Sequence, residues 1–256
     1  MIEADETAIP QRLLRRLDDL GTALSKRGDA IALIALGSVG LDVDRLDDHS
    51  DLDFFVIVDD GAKQRYIDSV DWLEAARPIA FSFPNTVDGR KALFDDGLFA
   101  EYAVFTVDEL VRSAFSPGRI VWQRADAPDD LEVPRRPAGA SPTLDHQVCE
   151  ALTNLYVGLH RDARGEKLAA ARLIQTHAVD RVITLFGLLE PGKQQDPFAV
   201  ERGVEGRFAA ALPLAAMVPG YERNREAAAA ILRWLEAHAD VDPVMADAVR
   251  ELVYGR

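Results

Sequence analysis

An α+β fold is predicted for the first half of this chain and an all-helical fold for the second, on three observations. Strand-like and helix-like patterns alternate up to residue 125, and two of the strand patterns face each other across a tight turn. A stretch dense in proline and glycine then interrupts every regular pattern. Beyond it, apolar residues recur only at helical spacing. The expected organisation is a mixed sheet flanked by helices over 1–125, a linker over 126–143, and a helical bundle over 144–256.

Taken in order, residues 8–28 place Leu13, Leu14, Leu17, Leu20 and Leu24 along one stripe of a helix. Ile31 to Leu36 is an unbroken apolar run, suited to a buried strand, and Gly37-Ser38 ends it. After a gap of twelve residues, Asp51-Leu52-Asp53 opens a second strand, Phe54 to Val58. Gly61 to Arg77 reads as one helix, with Tyr66, Val70, Leu73 and Ala76 on one face. Ile79 to Phe83 is a strand stopped by Pro84-Asn85 and by the turn near Asp88-Gly89. Lys91 to Phe94 and Leu98 to Phe105 form a hairpin across Asp95-Asp96-Gly97, since Asp-Gly is a strong turn signal. Ile120-Val121-Trp122 is one more short strand.

Pro128, Pro134, Pro137, Gly139 and Pro142 mark the linker. After it, Leu144, Val148, Leu152, Leu155 and Leu159 form one stripe, and Ala171, Ile174, Ala178, Val182 and Leu185 another. Ala228, Ile231 and Leu235, then Val249 and Leu252, complete a bundle-like set.

Bulk properties narrow the function. With 48% hydrophobic and 28% charged residues the chain reads as globular, and no apolar run is long enough to span a bilayer. The first residues are acidic, without the basic-then-apolar order of a signal peptide. Cys149 is the one cysteine, which excludes an internal disulfide and a cysteine-rich zinc site. A cytoplasmic compartment is expected. The net charge of −14 disfavours nucleic acid, whose binding rests on phosphate neutralisation, and suits a small cationic acceptor.

The chemistry is concentrated around Gly37-Ser38 and Asp51-Leu52-Asp53. Alternate residues of a strand point to one face, so Asp51 and Asp53 project together while Leu52 turns into the core. Adjacent carboxylates repel unless a cation sits between them, and their hard oxygens suit magnesium. Glycine lets the main chain approach a phosphate closely, and the serine hydroxyl adds a donor. An EF-hand starting at Asp42 is excluded: Asp47 stands where the loop needs glycine, and Asp53 where it needs glutamate. Gly-Ser-Val-Gly lacks the lysine and spacing of a P-loop.

Leu36-Gly37-Ser38 with Ser50-Asp51-Leu52-Asp53-Phe54 resembles the signature of the DNA polymerase β-like nucleotidyltransferase superfamily, most of all its lincosamide and aminoglycoside antibiotic nucleotidyltransferases. The resemblance implies triphosphate contacts for Gly37 and Ser38 and metal binding by Asp51 and Asp53. It also implies a third carboxylate on a later strand, supplied here by Glu101, the lone acid of Leu98 to Phe105. That group either binds the metal or accepts a proton from the acceptor hydroxyl. The segment Leu159 to Lys167 matches more loosely: Glu166 is an alternative base or acceptor contact, and Arg164 and Lys167 candidate phosphate contacts. The implied reaction is magnesium-dependent transfer of AMP from ATP to a hydroxyl of a small molecule. Lincosamides come first as acceptors and aminoglycosides second, with metabolites and proteins open, and a homodimer is plausible from the family. A nucleotidyltransferase-like antitoxin acting by binding a helical partner is the alternative.

His160 and His177 read as ordinary helix residues. Asp42, Asp44, Asp47 and Asp48 read as a solvated loop, and Trp72, Trp122 and Trp234 as core or interface filling.

Overall fold

The computed structural model describes residues 8–136, 143–190, 196, 198–208 and 211–255. The chain forms two compact units, Met1–Gly139 and Ala140–Arg256. The α+β class holds: a six-stranded mixed sheet with flanking helices occupies the first unit, and the described elements of the second are helical.

In the first unit, helix α1 (Ile9–Ser25) buries Leu13, Leu17, Leu20 and Leu24 completely, as its stripe predicts. Strands β1 (Ala30–Ala35) and β2 (Leu52–Val58) follow. Every residue of β1 is buried, the reason its sequence is continuously apolar rather than alternating. The helix predicted over Gly61 to Arg77 is instead two short ones, α2 (Lys63–Asp68) and α3 (Asp71–Glu74). Ser69 leaves the helical conformation at φ −118° and ψ 142°, and its hydroxyl accepts from the Asp71 amide at 3.3 Å. The break swings Trp72 into the core, where its indole donates to the Tyr66 carbonyl at 3.3 Å.

Strands β3 (Ile79–Pro84), β4 (Gly89–Phe94) and β5 (Phe99–Thr106) come next. The β4–β5 hairpin turns where Asp-Gly predicts, with Gly97 at φ +86°. Helix α4 (Val107–Arg112) is an element the sequence reading omitted. Its capping box is complete: Glu109 N–H donates to the Thr106 hydroxyl and Thr106 N–H to the Glu109 carboxylate. Strand β6 (Arg119–Gln123) closes the set, giving the order β3-β4-β5-β2-β1-β6 with β2 and β5 parallel.

Alternation divides the strands between two cores. Leu52, Phe54, Val56, Tyr102 and Val104 join Trp72 and the α1 leucines on one face. Ala32, Ile34 and Ile57 pack with Leu110, Phe115 and Leu131 on the other. Leu131 belongs to the proline-rich stretch, which also bonds the sheet unit through Gly118 N–H to the Glu132 carbonyl at 2.9 Å. Pro137, Gly139 and Pro142 lie outside the described residues.

The second unit comprises α5 (Leu144–Ala163), α6 (Lys167–Ala171), α7 (Val179–Leu189), α8 (Val204–Phe208), α9 (Leu214–Met217), α10 (Asn224–His238) and α11 (Pro243–Tyr254). Val148, Leu152, Leu155 and Leu159 form the buried stripe of α5, whereas Leu144, expected with them, is 46% exposed at the helix start. A π-helical turn, Arg172–Ala178, joins α6 to α7. The Gln175 amide holds it: its nitrogen donates to the Gly220 carbonyl and to Asn224, and its oxygen accepts from Gly220 N–H. None of the described helices is long and apolar enough to cross a membrane.

Candidate active site

The candidate site gathers where β1 ends and β2 and β5 begin. Leu36 N–H donates to the Asp53 carbonyl at 2.8 Å, so the chain is still paired as it enters Gly37. Gly37 takes φ +53°, a left-handed conformation that favours glycine, and starts a single 3₁₀ turn, Gly37–Val39. A β-carbon at Gly37 would lie 3.6 Å from Asp53 Oδ2, so the bare main chain stands beside that carboxylate. Val39 is fully buried, and its carbonyl accepts from Arg119 of β6 at 3.0 Å, which anchors the turn.

Leu52 is fully buried, with Asp51 and Asp53 half-buried on either side, as alternation predicts. The preceding loop is exposed at Asp42, Asp44, Asp47 and Asp48. Asp47 and Ser50 lock its end: the Asp47 carboxylate accepts from His49 N–H and the Ser50 hydroxyl from Asp47 N–H.

Glu101 stands directly beside Asp53, as register partners on the parallel strands β2 and β5. Phe99, Ala103 and Phe105 share its half-buried face, while Ala100, Tyr102 and Val104 are buried on the opposite one. Two residues that the sequence reading did not single out hold it. Lys91 of β4 is its antiparallel partner, with Nζ 2.9 Å from Glu101 Oε2. The Asn85 amide donates to Oε1, also at 2.9 Å. The Glu101 bond foremost, with the charges of Asp53 and Asp51 at longer range, raises the Lys91 ammonium above its ordinary value. Lys91 thus lies in the field of all three carboxylates. The hairpin pattern already contained the signal, because counting outward from Asp95-Asp96-Gly97 sets Lys91 opposite Glu101.

Among the described residues, no three His, Cys, Asp or Glu side chains converge closely enough to hold a metal ion. Magnesium does not require such a cage when it arrives with a nucleotide, because one or two carboxylates and the phosphates suffice. The oxygen donors of Asp51 and Asp53 fit that mode.

The remaining candidates belong to the helical unit, each with its own neighbours. Gly165, at φ +80°, ends α5, and Glu166 N–H returns to the Arg161 carbonyl at 2.9 Å. The Glu166 carboxylate accepts from Arg161 at 2.8 Å. Lys167 Nζ lies 3.4 Å from Asp162 and 3.7 Å from Glu222, and Arg164 is exposed. The His160 ring packs edge-on against Tyr156, its centroid 4.6 Å away.

Neither a protein-family model nor a curated protein matches this chain. Among solved structures it is similar to a crystal structure of an aminoglycoside 6-adenyltransferase from Bacillus subtilis. The match has 13% identity and a TM-score of 0.32 over 95% of this chain and 92% of that one. At that identity and score the likeness decides nothing about chemistry, which rests on the residues themselves.

Proposed function

We propose that this protein is a magnesium-dependent nucleotidyltransferase that moves AMP from ATP to a hydroxyl of a small molecule. One observation carries the reading: Asp53 and Glu101 are register partners on adjacent strands, and the glycine main chain at Gly37 lies against Asp53. Lys91 offsets part of the charge of this acid row, a divalent cation would offset the rest, and a bare main chain beside it suits a phosphate.

In this reading Asp51 and Asp53 hold magnesium, which when bound stabilises charge on the triphosphate as a Lewis acid. Gly37 and Ser38 offer the main chain and a hydroxyl to the phosphates. Glu101 takes the proton of the acceptor hydroxyl as its oxygen bonds to the α-phosphorus. The bond from that phosphorus to the β-phosphate oxygen breaks, and pyrophosphate leaves. The net charge of −14 supports a cationic acceptor. Lincosamides, then aminoglycosides, are the acceptors to try first.

The test is mass spectrometry of a pooled reaction containing both antibiotic classes, the nucleoside triphosphates and magnesium, with Asp53→Asn protein as the blank. An antibiotic heavier by one nucleoside monophosphate, with wild-type protein only, is the expected result. Magnesium-dependent ATP binding without any adduct would discard antibiotics as acceptors. The absence of both ATP binding and adduct would overturn the nucleotidyltransferase reading.

A further inference from the structure

Glu101 is gripped from the side away from Asp53. Strand β4 lies on that side, and from it Lys91 takes Oε2 at 2.9 Å. Asn85, in the turn between β3 and β4, takes Oε1 at 2.9 Å. Asn85 is itself tied to the turn, its N–H donating to the Gly89 carbonyl at 3.2 Å. Its side-chain oxygen is buried with no partner, so the amide is committed through its nitrogen. Both oxygens of Glu101 are therefore engaged by donors of the hairpin, and the three acids do not converge.

We propose that Lys91 and Asn85 are positioning residues that divide the carboxylate row, leaving Asp51 and Asp53 to the metal and reserving Glu101 for the acceptor hydroxyl. The inference rests on the nucleotidyltransferase reading above and deepens it. Lys91 has two effects in the metal-free site. It balances part of the negative charge between neighbouring acids, and it holds Glu101 toward β4, on the side away from Asp53. A donor on each oxygen also leaves lone pairs for an incoming hydroxyl, since a carboxylate has about four acceptor positions.

The division predicts an unusual sign. Replacing the lysine should strengthen divalent-cation binding, because it removes a competing charge and releases a third carboxylate. Manganese titration followed by electron paramagnetic resonance reads this without turnover. Lys91→Met is expected to bind Mn²⁺ about tenfold more tightly than wild type, and Lys91→Arg, which restores the charge, within threefold of it. The double variant Lys91→Met/Glu101→Gln removes both members of the pair and should keep wild-type affinity within threefold. Asp53→Asn should lose binding. In the transfer assay Lys91→Met should lower kcat with little change in the KM for ATP.

Unchanged or weaker Mn²⁺ binding by Lys91→Met would overturn the role of the lysine. Loss of binding in the double variant would show that Glu101 is a metal ligand after all and overturn the division. If instead Asp53→Asn binds Mn²⁺ like wild type, the metal site itself is wrong and the functional reading fails with it. Circular dichroism melts identify any variant whose loss of binding is loss of fold.

Discussion

The two faces of the sheet are built from the same strands, one residue out of phase, and they treat charge in opposite ways. On the face covered by α1, α2 and α3, Phe54, Tyr102 and Trp72 interlock, with Phe54 stacked on Tyr102 at 5.3 Å and Trp72 edge-on to Tyr102 at 5.1 Å. Buried in that layer, Arg16 is 6% exposed, with its guanidinium 4.3 Å over the Phe94 ring and bonded to Asp96 at 2.8 Å. On the other face Asp53, Glu101 and Lys91 lie side by side at one end, half-buried, with Phe55 and Phe105 packed edge-on behind the acids at 5.0 Å. The covered face uses charge to close a structure. The other leaves its charges half-buried rather than covered. Period-two alternation allows both to occupy three strands without either disturbing the other.

The sharpest way to break this comparison is to alter neighbours that point to opposite faces. Asp53→Asn should cut nucleotidyl transfer by at least about a thousandfold while leaving the thermal midpoint at or above that of wild type. Pyrophosphate release and differential scanning calorimetry report the two halves of that statement. Leu52→Ala should do the reverse, costing about 2–5 kcal/mol of stability, with activity per folded molecule retained in urea-matched assays. Equal loss of activity per folded molecule in both would mean the faces are not independent.

Asp96 tests the buried charge. Burial works to raise its carboxyl, but the hydrogen bonds from Arg16 and Arg12 outweigh it and hold the group below its ordinary value. A carboxyl depressed on folding stabilises above its unfolded value, near pH 4, and the gain is lost as pH falls through the folded value. Asp96→Asn should cost about 2 kcal/mol at neutral pH, and urea melts should show the gap narrowing below about pH 4. The smallest effect belongs to Tyr102, whose hydroxyl is buried with no partner and whose phenol burial pushes up. Tyr102→Phe removes the unpaired group and keeps the ring, so it should stabilise by about 1 kcal/mol, measured in the same melts.

What the sequence made legible follows from distance along the chain. The β4–β5 hairpin, the α1 stripe and the buried Leu52 between two acids are local patterns, and the structure repeats them. The parallel pairing that sets Asp53 beside Glu101 joins residues far apart in sequence, and only the family resemblance pointed to Glu101 as part of one set. The signals for Lys91 and the capping box are local too: a lysine opposite Glu101 across the Asp-Gly turn, and Thr106-x-x-Glu109. Asn85 read as a strand stop, and its second task needs the turn folded around it. The helix break at Ser69 leaves the apolar spacing of Tyr66, Val70 and Leu73 intact, so periodicity carries no mark of it.

The π-helical turn Arg172–Ala178 has a consequence for how this chain can change in length. Such a turn carries one residue more than an α-helical turn, here held open by a glutamine amide bonded to Gly220 and Asn224. Deleting one residue from it would restore the regular ladder. Because the wide turn takes up that one residue, α7 would keep Val182 and Leu185 facing the core they fill. An insertion or deletion is thus absorbed in mid-helix, with no loop to betray it. Relatives of this protein are best aligned with a one-residue gap allowed between Arg172 and Ala178, where a gap penalty tuned to helices would forbid it.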